Sequence, residues 1–243
     1  MSKYFIMATW DDAPHITAEM KAEYLKEIPP CQRDARSKGI PSLGSGVIYP
    51  VPESEVLVAD MPIPDHWTRF YAMDVGWEWT AATHFAHDKD SDTLYIYRTY
   101  KRSQAEPSIH AEAIKAPGDW VPGVIDPASA GSSQRDGVSL MENYRALGLI
   151  LTPANNGVES GILTTWQRLS SGKLKVFRSC QDWLAEFRVY RRDEKGKIVK
   201  KNDHLMDCTR YGVMSGHEVE KVKREPVQTH RNRYAASGTG WMG

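Results

Sequence analysis

The region from residue 69 to residue 100 constrains the fold more than any other part of the sequence. Three runs rich in β-branched and aromatic residues, RFYAMDVG (69–76), TAATHFAH (80–87) and TLYIYRTY (93–100), follow one another with short turns between them. Runs of this composition and spacing predict an antiparallel meander of three strands. We therefore expect a β-sheet that starts from three neighbouring strands.

Helices and strands alternate after this meander. A helical pattern at 107–116 leads to the apolar strand VPGVIDP (121–127), a helix at about 134–147 leads to the strand LGLILTP, and another helix precedes KLKVF (173–177). Hairpin strands followed by alternating helices and strands are the order of an RNase H-like fold. The prediction is an α/β fold of this class: a mixed sheet of five or more strands, helices on both faces, and an auxiliary β-hairpin.

Composition limits the classes of protein to consider. With 41% hydrophobic and 26% charged residues among 243, the chain is typical of a folded globular protein, not a fibrous or disordered one. Thirty-one basic residues balance thirty-one acidic ones, so attraction to nucleic acid has to come from local clusters of charge. The three cysteines contain no C-x-x-C pair, and no apolar run reaches the roughly 20 residues of a membrane span. These features predict a soluble protein of a reducing cytoplasm.

Three regions differ in character along the chain. Residues 1–66 contain one helical stretch, ITAEMKAEYLKEI (16–28), and then an extended segment rich in proline and glycine, which is typical of a linker that lies on another part of the protein. Residues 67–215 hold the predicted RNase H-like domain. Residues 216–243 are polar, lean towards basic residues and predict a flexible tail.

Two strands of this domain contain aspartates that need explanation. Asp74 interrupts an apolar strand, where a buried carboxylate is costly unless it is paired or binds a metal, and its alternative role is to cap the turn at Gly76. Asp126 ends the strand GVID, and the alternative for an Asp-Pro pair is to start a turn. If these strands are parallel neighbours, the two carboxylates face each other about 5 Å apart.

A third acidic group opens the last predicted helix. Asp203 and Asp207 are four residues apart and His204 lies between them, so the three side chains share one face. Asp203 also fits the role of helix N-cap, and Asp207 taken alone fits a solvated surface residue. Carboxylates from two strands and a nearby helix suit hard divalent cations, and two such ions about 4 Å apart support phosphodiester hydrolysis. This combination predicts nuclease chemistry.

A basic segment precedes that helix. FRVYRRDEKGKIVKK (187–201) has seven basic and two acidic residues, and its alternation predicts a β-hairpin with its tip at 194–196. Such a hairpin can be only a solvated sheet edge. The position beside the acidic group favours contacts to DNA phosphates, which are assigned to Arg188, Arg191, Arg192, Lys195, Lys197, Lys200 and Lys201.

The motifs YAMDVGWEWTAA, VIDPASAGSSQRDG and NDHLMDCTRY, in this order, resemble the nuclease domain of the large terminase subunit of tailed bacteriophages, over residues 9–214. The resemblance implies a two-metal endonuclease that cuts concatemeric double-stranded viral DNA during packaging into procapsids. It assigns Asp74, Asp126 and Asp207 as catalytic metal ligands and Asp203 and His204 as further ligands, for two Mg²⁺ or Mn²⁺ ions.

The same resemblance implies partners and a location. The partners are DNA, the portal protein, the small terminase subunit and an ATPase motor, and residues 1–66 correspond to the segment that joins motor and nuclease. No G-x-x-x-x-G-K-[ST] motif occurs in the chain, so the motor is expected elsewhere. The expected place of action is the portal vertex in the host cytoplasm. A non-catalytic DNA- or portal-docking module and a related resolvase remain alternatives.

Overall fold

The computed structural model describes residues 9–13, 15–27, 37, 46–131 and 139–223. Its centre is a seven-stranded sheet in the order β1-β7-β4-β3-β2-β5-β6. The strands are β1 (Leu57–Val58), β2 (Thr68–Val75), β3 (Trp79–Asp88), β4 (Thr93–Ser103), β5 (Gly123–Ile125), β6 (Leu151–Pro153) and β7 (Leu174–Phe177). β2, β3 and β4 form the predicted antiparallel meander, and the other neighbours pair in parallel. The prediction of a mixed sheet is confirmed.

Helices lie on both faces of this sheet. They are α1 (Ala18–Glu27), α2 (Glu53–Val56), α3 (Pro107–Lys115), α4 (Leu140–Ala146), α5 (Val158–Ser170), α6 (Gln181–Val189) and α7 (His204–Val219). Residues of α6 and α7 pack in one hydrophobic cluster with the sheet, and residues of α3 and α4 pack in a second cluster. No helix among the described residues is long and apolar enough to cross a membrane.

The sequence of β2 explains its central position. Phe70 and Ala72 belong to the cluster under α6 and α7, whereas Tyr71 and Met73 belong to the cluster under α3 and α4. Because both faces of the strand are covered, the strand is a continuous apolar run without hydrophobic and polar alternation. Asp74 is the next residue and lies near the carboxyl end of the strand.

The second half of the predicted linker is part of this core. Tyr49, Val51 and Val56 are buried in the larger cluster, and β1 pairs in parallel with β7. Apolar residues spaced between the prolines supply this contact. The predicted helix at 16–28 is present as α1, and residues 28–36 and 38–45 lie outside the described residues.

The predicted β-hairpin at 187–201 is wrong in its first half. α6 extends to Val189, so Phe187 and Arg188 are helical. Trp183, Leu184 and Phe187 are buried at helical spacing, and burial of this apolar face outweighs the local alternation that suggested a strand. What remains of the hairpin is a single antiparallel bridge between Arg192 and Ile198, with a turn between them.

Two other boundaries also differ from the predicted ones. α7 continues to Val219, and Lys221 forms an antiparallel bridge with Arg69, so the chain is still part of the fold beyond Gly216, where the tail was predicted to begin. Val213 and Gly216 face the core on this helix, which explains its length. α4 begins at Leu140, after the cap residue Ser139, although its predicted start was near residue 134. Residues 132–138 and 224–243 lie outside the described residues.

Candidate active site

β2 and β5 bring two aspartates to the same edge of the sheet. Met73 on β2 is paired with Ile125 on β5, and Asp74 and Asp126 are the next residues of the two parallel strands. The Asp126 N–H donates to the Met73 carbonyl at 3.2 Å. Since side chains alternate along a strand, both carboxylates fall on the face opposite Met73 and Ile125, which is the face that α7 covers.

A cavity of about 480 Å³ joins Asp74 to the start of α7. His204 Nδ1 lies 2.8 Å from Asp74 Oδ2, so the imidazole links the strand to the helix. Asp203, His204 and Asp207 share this cavity with Asp74, as their spacing predicted. The full lining consists of Asp74, Glu78, Trp79, Lys200, Lys201, Asn202, Asp203, His204 and Asp207.

Asp126 has a second role and stands beside this cavity without lining it. Its Oδ1 accepts a hydrogen bond from the Ala128 N–H at 3.1 Å, which caps the short 3-10 helix Pro127–Ala130. The turn-starting role considered for Asp126 is therefore present. Its charge still reaches the site, because it contributes to raising the pKa of Asp74.

The electrostatics of the site show crowded negative charge. Burial raises the pKa of Asp74, the charges of Asp207 and Asp126 raise it further, and the hydrogen bond from His204 works in the opposite direction. That hydrogen bond is also the main cause that raises the pKa of His204. Asp203 and Asp207 are only 5% and 8% exposed. Buried carboxylates of this kind favour the binding of a cation.

Two basic side chains of the protein itself offset part of the negative charge of these carboxylates. Lys200 Nζ lies 2.9 Å from Asp207 Oδ2 and 3.1 Å from Asp203 Oδ2. On the other side, Arg210 donates to Asp207 Oδ1 at 3.1 Å, and Arg210 is itself 2% exposed. Arg210 was not predicted as a site residue, although its position three residues after Asp207 on a helix is a signal for such a pair.

The donor atoms suit a hard divalent cation. Asp203 Oδ2 is buried and accepts no hydrogen bond of good geometry from the described residues, although Lys200 lies near it. The available ligands are carboxylate oxygens, which Mg²⁺ and Mn²⁺ prefer. Within the described residues, no three His, Cys, Asp or Glu side chains are close enough together to hold one ion.

The start of α7 is capped from another helix. Asp203 occupies the N-cap position, but its side chain makes no capping hydrogen bond. Glu186 on α6 accepts hydrogen bonds from the N–H groups of Leu205 at 2.7 Å and Met206 at 3.4 Å. No sequence motif marks Glu186, because a cap supplied from a distant part of the chain has no local pattern.

The basic residues predicted to bind DNA fall into two groups. Arg188 is held by both oxygens of Glu53, Arg192 is held by both oxygens of Glu159, and Lys200 points at the carboxylates. The others form no ion pair within the described parts of the chain: Arg191, Lys195, Lys197 and Lys201. Lys201 lines the acidic cavity, and Arg191 and Lys195 line a second cavity of about 670 Å³.

Comparison with known families identifies the class of domain. Residues 72–215 match the family model described as the Terminase RNaseH-like domain. The chain belongs to this family. The matched region contains all five predicted metal-site residues and more than half of the chain.

Relatives of this terminase RNase H-like domain agree with its fold. The terminase large subunit of Salmonella phage P22 is 35% identical, and the match covers 88% of this chain and 44% of that protein. The solved nuclease domain of the P22 large terminase is 33% identical with a TM-score of 0.67, covering 74% of this chain and 96% of that one. The magnesium-bound large terminase nuclease of thermophilic phage G20c has a TM-score of 0.51 at 13% identity, covering 70% and 98%. The chain thus spans about half the length of the curated relatives it matches.

Proposed function

We propose that this terminase RNase H-like domain is a metal-dependent endonuclease that cuts concatemeric double-stranded viral DNA during genome packaging. The observation that carries the proposal is the convergence of Asp74, Asp203 and Asp207 on one cavity, with Asp126 at the end of the adjacent strand. A docking module has no need for buried carboxylates that repel one another at a cavity wall. The solved nuclease domain of the P22 relative has the same fold and supports the same class of activity.

The proposed metal ligands are Asp74, Asp126 and Asp207, with Asp203 and His204 as further ligands. We propose two divalent ions, Mg²⁺ or Mn²⁺, in agreement with the oxygen donors and with the magnesium-bound nuclease of phage G20c. When bound, such ions neutralise the carboxylates and stabilise the charge that develops on the phosphodiester oxygens during in-line displacement.

Neighbouring side chains prepare the site for DNA. His204 forms a 2.8 Å hydrogen bond with Asp74 and fixes the orientation of that carboxylate. Arg210 holds one oxygen of Asp207 from the protein interior. Lys201 places positive charge at the cavity, where it attracts a DNA phosphate, whereas Lys200 is paired with Asp203 and Asp207. These contacts hold groups in place without reading bases, so we expect weak sequence preference.

The proposal includes partners and a place of action. The chain spans about half of its relatives, and it contains no phosphate-binding loop motif. We propose that the ATPase motor, the portal protein and the small terminase subunit act with it at the procapsid portal vertex in the host cytoplasm. We also propose that residues 1–66 connect it to that motor.

The test is cleavage of supercoiled plasmid DNA in Mg²⁺ or Mn²⁺. We expect Asp74→Asn and Asp74→Ala to reduce nicking to background while the circular dichroism spectrum is unchanged. Asp74 is the carboxylate that feels the charges of both Asp126 and Asp207. A matched control is Asp90→Asn, which changes an exposed aspartate in the turn between β3 and β4 and should cut like the wild type.

Four outcomes would contradict the proposal. Cleavage by Asp74→Asn at the wild-type rate would show that the assigned site is wrong. Cleavage that persists in EDTA would show that the reaction needs no metal ion. DNA binding without cleavage in any metal indicates a docking module. A four-way junction cut in strong preference to linear duplex assigns the chain to the resolvase alternative.

A further inference from the structure

Glu186 is the most deeply buried carboxylate near the candidate active site that the mechanism above does not use. It lies on α6 and is 2% exposed. One carboxylate oxygen, Oε2, accepts the N–H groups of Leu205 and Met206, at 2.7 Å and 3.4 Å. The other oxygen, Oε1, accepts from Lys101 Nζ at 2.6 Å.

These two N–H groups are the ones that a helix normally satisfies with its own N-cap side chain. They belong to the second and third residues of α7, and an N-cap carboxylate accepts from these positions. The N-cap residue is Asp203, whose backbone angles of φ −123° and ψ 3° differ from the extended conformation typical of a capping residue. Because Glu186 takes the place of the local cap, the Asp203 carboxylate is left for the cavity.

A charged cap is stable here because its environment is positive. The aligned peptide groups place partial positive charge at the start of α7, and Lys101 supplies a full charge on the other side. Lys101 Nζ also lies over the ring of Trp79, 4.8 Å from its centroid, and Trp79 lines the acidic cavity. Glu186 therefore contacts the start of α7 directly and is connected to Trp79 through Lys101, and both the start of α7 and Trp79 line the cavity.

We propose that Glu186 is a positioning residue of the nuclease site: it caps α7 from outside and thereby frees Asp203 to serve as a metal ligand. This inference rests on the proposed function. Glu186 does not contact the cavity, and it acts through the orientation of α7 and Asp203. Without it, the unsatisfied N–H groups of the first turn would recruit the carboxylate of the N-cap residue Asp203, and the metal site would lose a ligand.

The test has to separate the cap from the ion pair with Lys101. Both variants therefore carry Lys101→Met, which removes the ammonium group. Lys101→Met/Glu186→Gln keeps an oxygen that accepts the two N–H groups, whereas Lys101→Met/Glu186→Leu has a similar size and no acceptor. Any difference between the two variants reports on the cap alone.

The first measurement needs no metal. In the metal-free protein with Asp203→Ala added, where the Asp203 carboxylate cannot replace the cap, NMR hydrogen exchange of the Leu205 and Met206 amides should be at least about 10-fold faster in the Leu variant than in the Gln variant. The second measurement is Mn²⁺ binding by calorimetry, where the Leu variant should bind about 10-fold more weakly, as expected for a lost partner behind a metal ligand. The Gln variant should retain the affinity of the Lys101→Met parent.

Asp203 supplies a specific check of the mechanism. Asp203→Asn should weaken Mn²⁺ binding in the Gln background and have a much smaller effect in the Leu background, because there Asp203 has already left the site. Such non-additivity is not expected from a general loss of stability. As a control, Ser139→Ala removes a side-chain cap of α4 on the other face of the sheet and should leave Mn²⁺ affinity unchanged.

The outcomes distinguish this inference from the proposed function. Equal exchange rates or equal Mn²⁺ affinities in the Gln and Leu variants would overturn the role of Glu186 even if the wild type cuts DNA. Additive effects of Asp203→Asn in the two backgrounds would also overturn it. A wild type that neither binds Mn²⁺ nor cuts DNA would overturn the proposed function and, with it, the metal role of Asp203.

Discussion

Asp207 illustrates how a single buried charge depends on its partner. Its carboxylate is held by Arg210, whose guanidinium group is almost fully buried, donates also to Asn156 at 3.2 Å and lies 4.5 Å from the ring of Tyr211. Removing one partner of a buried ion pair leaves an uncompensated charge in a medium that solvates it poorly. The pair therefore matters more for the stability of the fold than an exposed pair of the same length.

We expect Arg210→Ala to lower the free energy of unfolding by about 3–5 kcal/mol, measured by urea denaturation. The matched control is Arg188→Ala, which removes a two-oxygen ion pair with Glu53 at the surface and should cost about 1 kcal/mol or less. Similar losses in the two variants would show that Asp207 is well solvated without Arg210.

The sequence revealed the acidic residues of the site but not what holds them in place. Asp74 stands out because a carboxylate inside an apolar strand needs a physical reason, and Asp203 and Asp207 stand out because their spacing places them with His204 on one face of a helix. Asp126 can be placed near Asp74 only once the order of the strands is known. Glu186 could not be found, because it is an ordinary polar residue of an amphipathic helix until the fold brings it to the start of α7.

At the scale of elements, α7 approaches the sheet closely because two of its residues have no side chain. A Cβ atom added at Gly212 would collide with the ring of Phe85, and one added at Gly216 would collide with the ring of Phe70. The two rings are themselves stacked, with centroids 4.8 Å apart, so neither can turn aside freely. These glycines therefore determine how near α7, and with it Asp207, lies to β2.

We expect Gly216→Ala to lower the free energy of unfolding by about 1–3 kcal/mol, measured by urea denaturation. Alanine gains about 1 kcal/mol of helix propensity at such a position, but the collision with Phe70 outweighs this gain. Glu218→Ala, on the exposed side of the same helix, should change stability by less than about 0.5 kcal/mol. A stabilised Gly216→Ala variant would mean that the Phe70 and Phe85 rings shift readily.

The carboxylate of Glu220 anchors the chain at the end of α7. Burial by itself raises the pKa of Glu220, but hydrogen bonds from His87, Thr68 and Lys89 outweigh it and lower the pKa from 4.5 to about 2. The hydrogen bond with Glu220 is in turn the main cause that raises the pKa of His87 above 6.5. This cluster joins the chain after α7 to β2 and β3.

The pKa shifts of Glu220 and His87 define the pH range in which this cluster stabilises the fold most. The contribution of Glu220 to stability is complete above pH 4.5 and is lost as the pH falls towards 2. That of His87 is complete below pH 6.5 and is lost as the pH rises through its folded-state pKa. The destabilisation caused by Glu220→Gln should therefore be largest between these limits.

We expect Glu220→Gln to lower the free energy of unfolding by about 1–3 kcal/mol near pH 5.5 and by less near pH 3 and pH 9, in urea titrations at each pH. Glu142→Gln, which removes an exposed pair with Arg145, should have a small effect that changes little with pH. An effect of Glu220→Gln that is constant across the three pH values would contradict the assigned cluster.

The basic segment shows why some elements could not be predicted from the sequence. Apolar and polar residues alternate around Phe187 and Val189, as they do in a strand. The apolar residues at 183, 184 and 187, however, form one face of a helix that packs in the core. Local alternation and helical spacing compete in such a short stretch, and only tertiary burial decides between them. The meander of β2, β3 and β4 was predictable because its long β-rich runs allow one interpretation.

At the scale of the whole molecule, DNA binding depends on where unpaired basic residues lie and not on the net charge. The chain has 31 basic and 31 acidic residues, so net charge does not attract DNA. Three of the seven basic residues predicted to bind DNA are already paired: Arg188 with Glu53, Arg192 with Glu159, and Lys200 with Asp203 and Asp207. We therefore expect phosphate contacts from the other four, Arg191, Lys195, Lys197 and Lys201, which form no ion pair in the described part of the chain.

This distribution predicts the salt dependence of DNA binding. Each phosphate contact contributes about 0.9 to the slope of log affinity against log salt concentration, so changing these four residues to glutamine should reduce the slope by about 3–4. Arg188→Gln/Arg192→Gln should change it much less, because both charges are already compensated. Fluorescence anisotropy with a linear duplex, in EDTA and in the Asp74→Asn background, measures binding without cleavage. A larger change from the Arg188 and Arg192 pair would show that DNA displaces Glu53 and Glu159 and that the four unpaired residues lie away from the duplex.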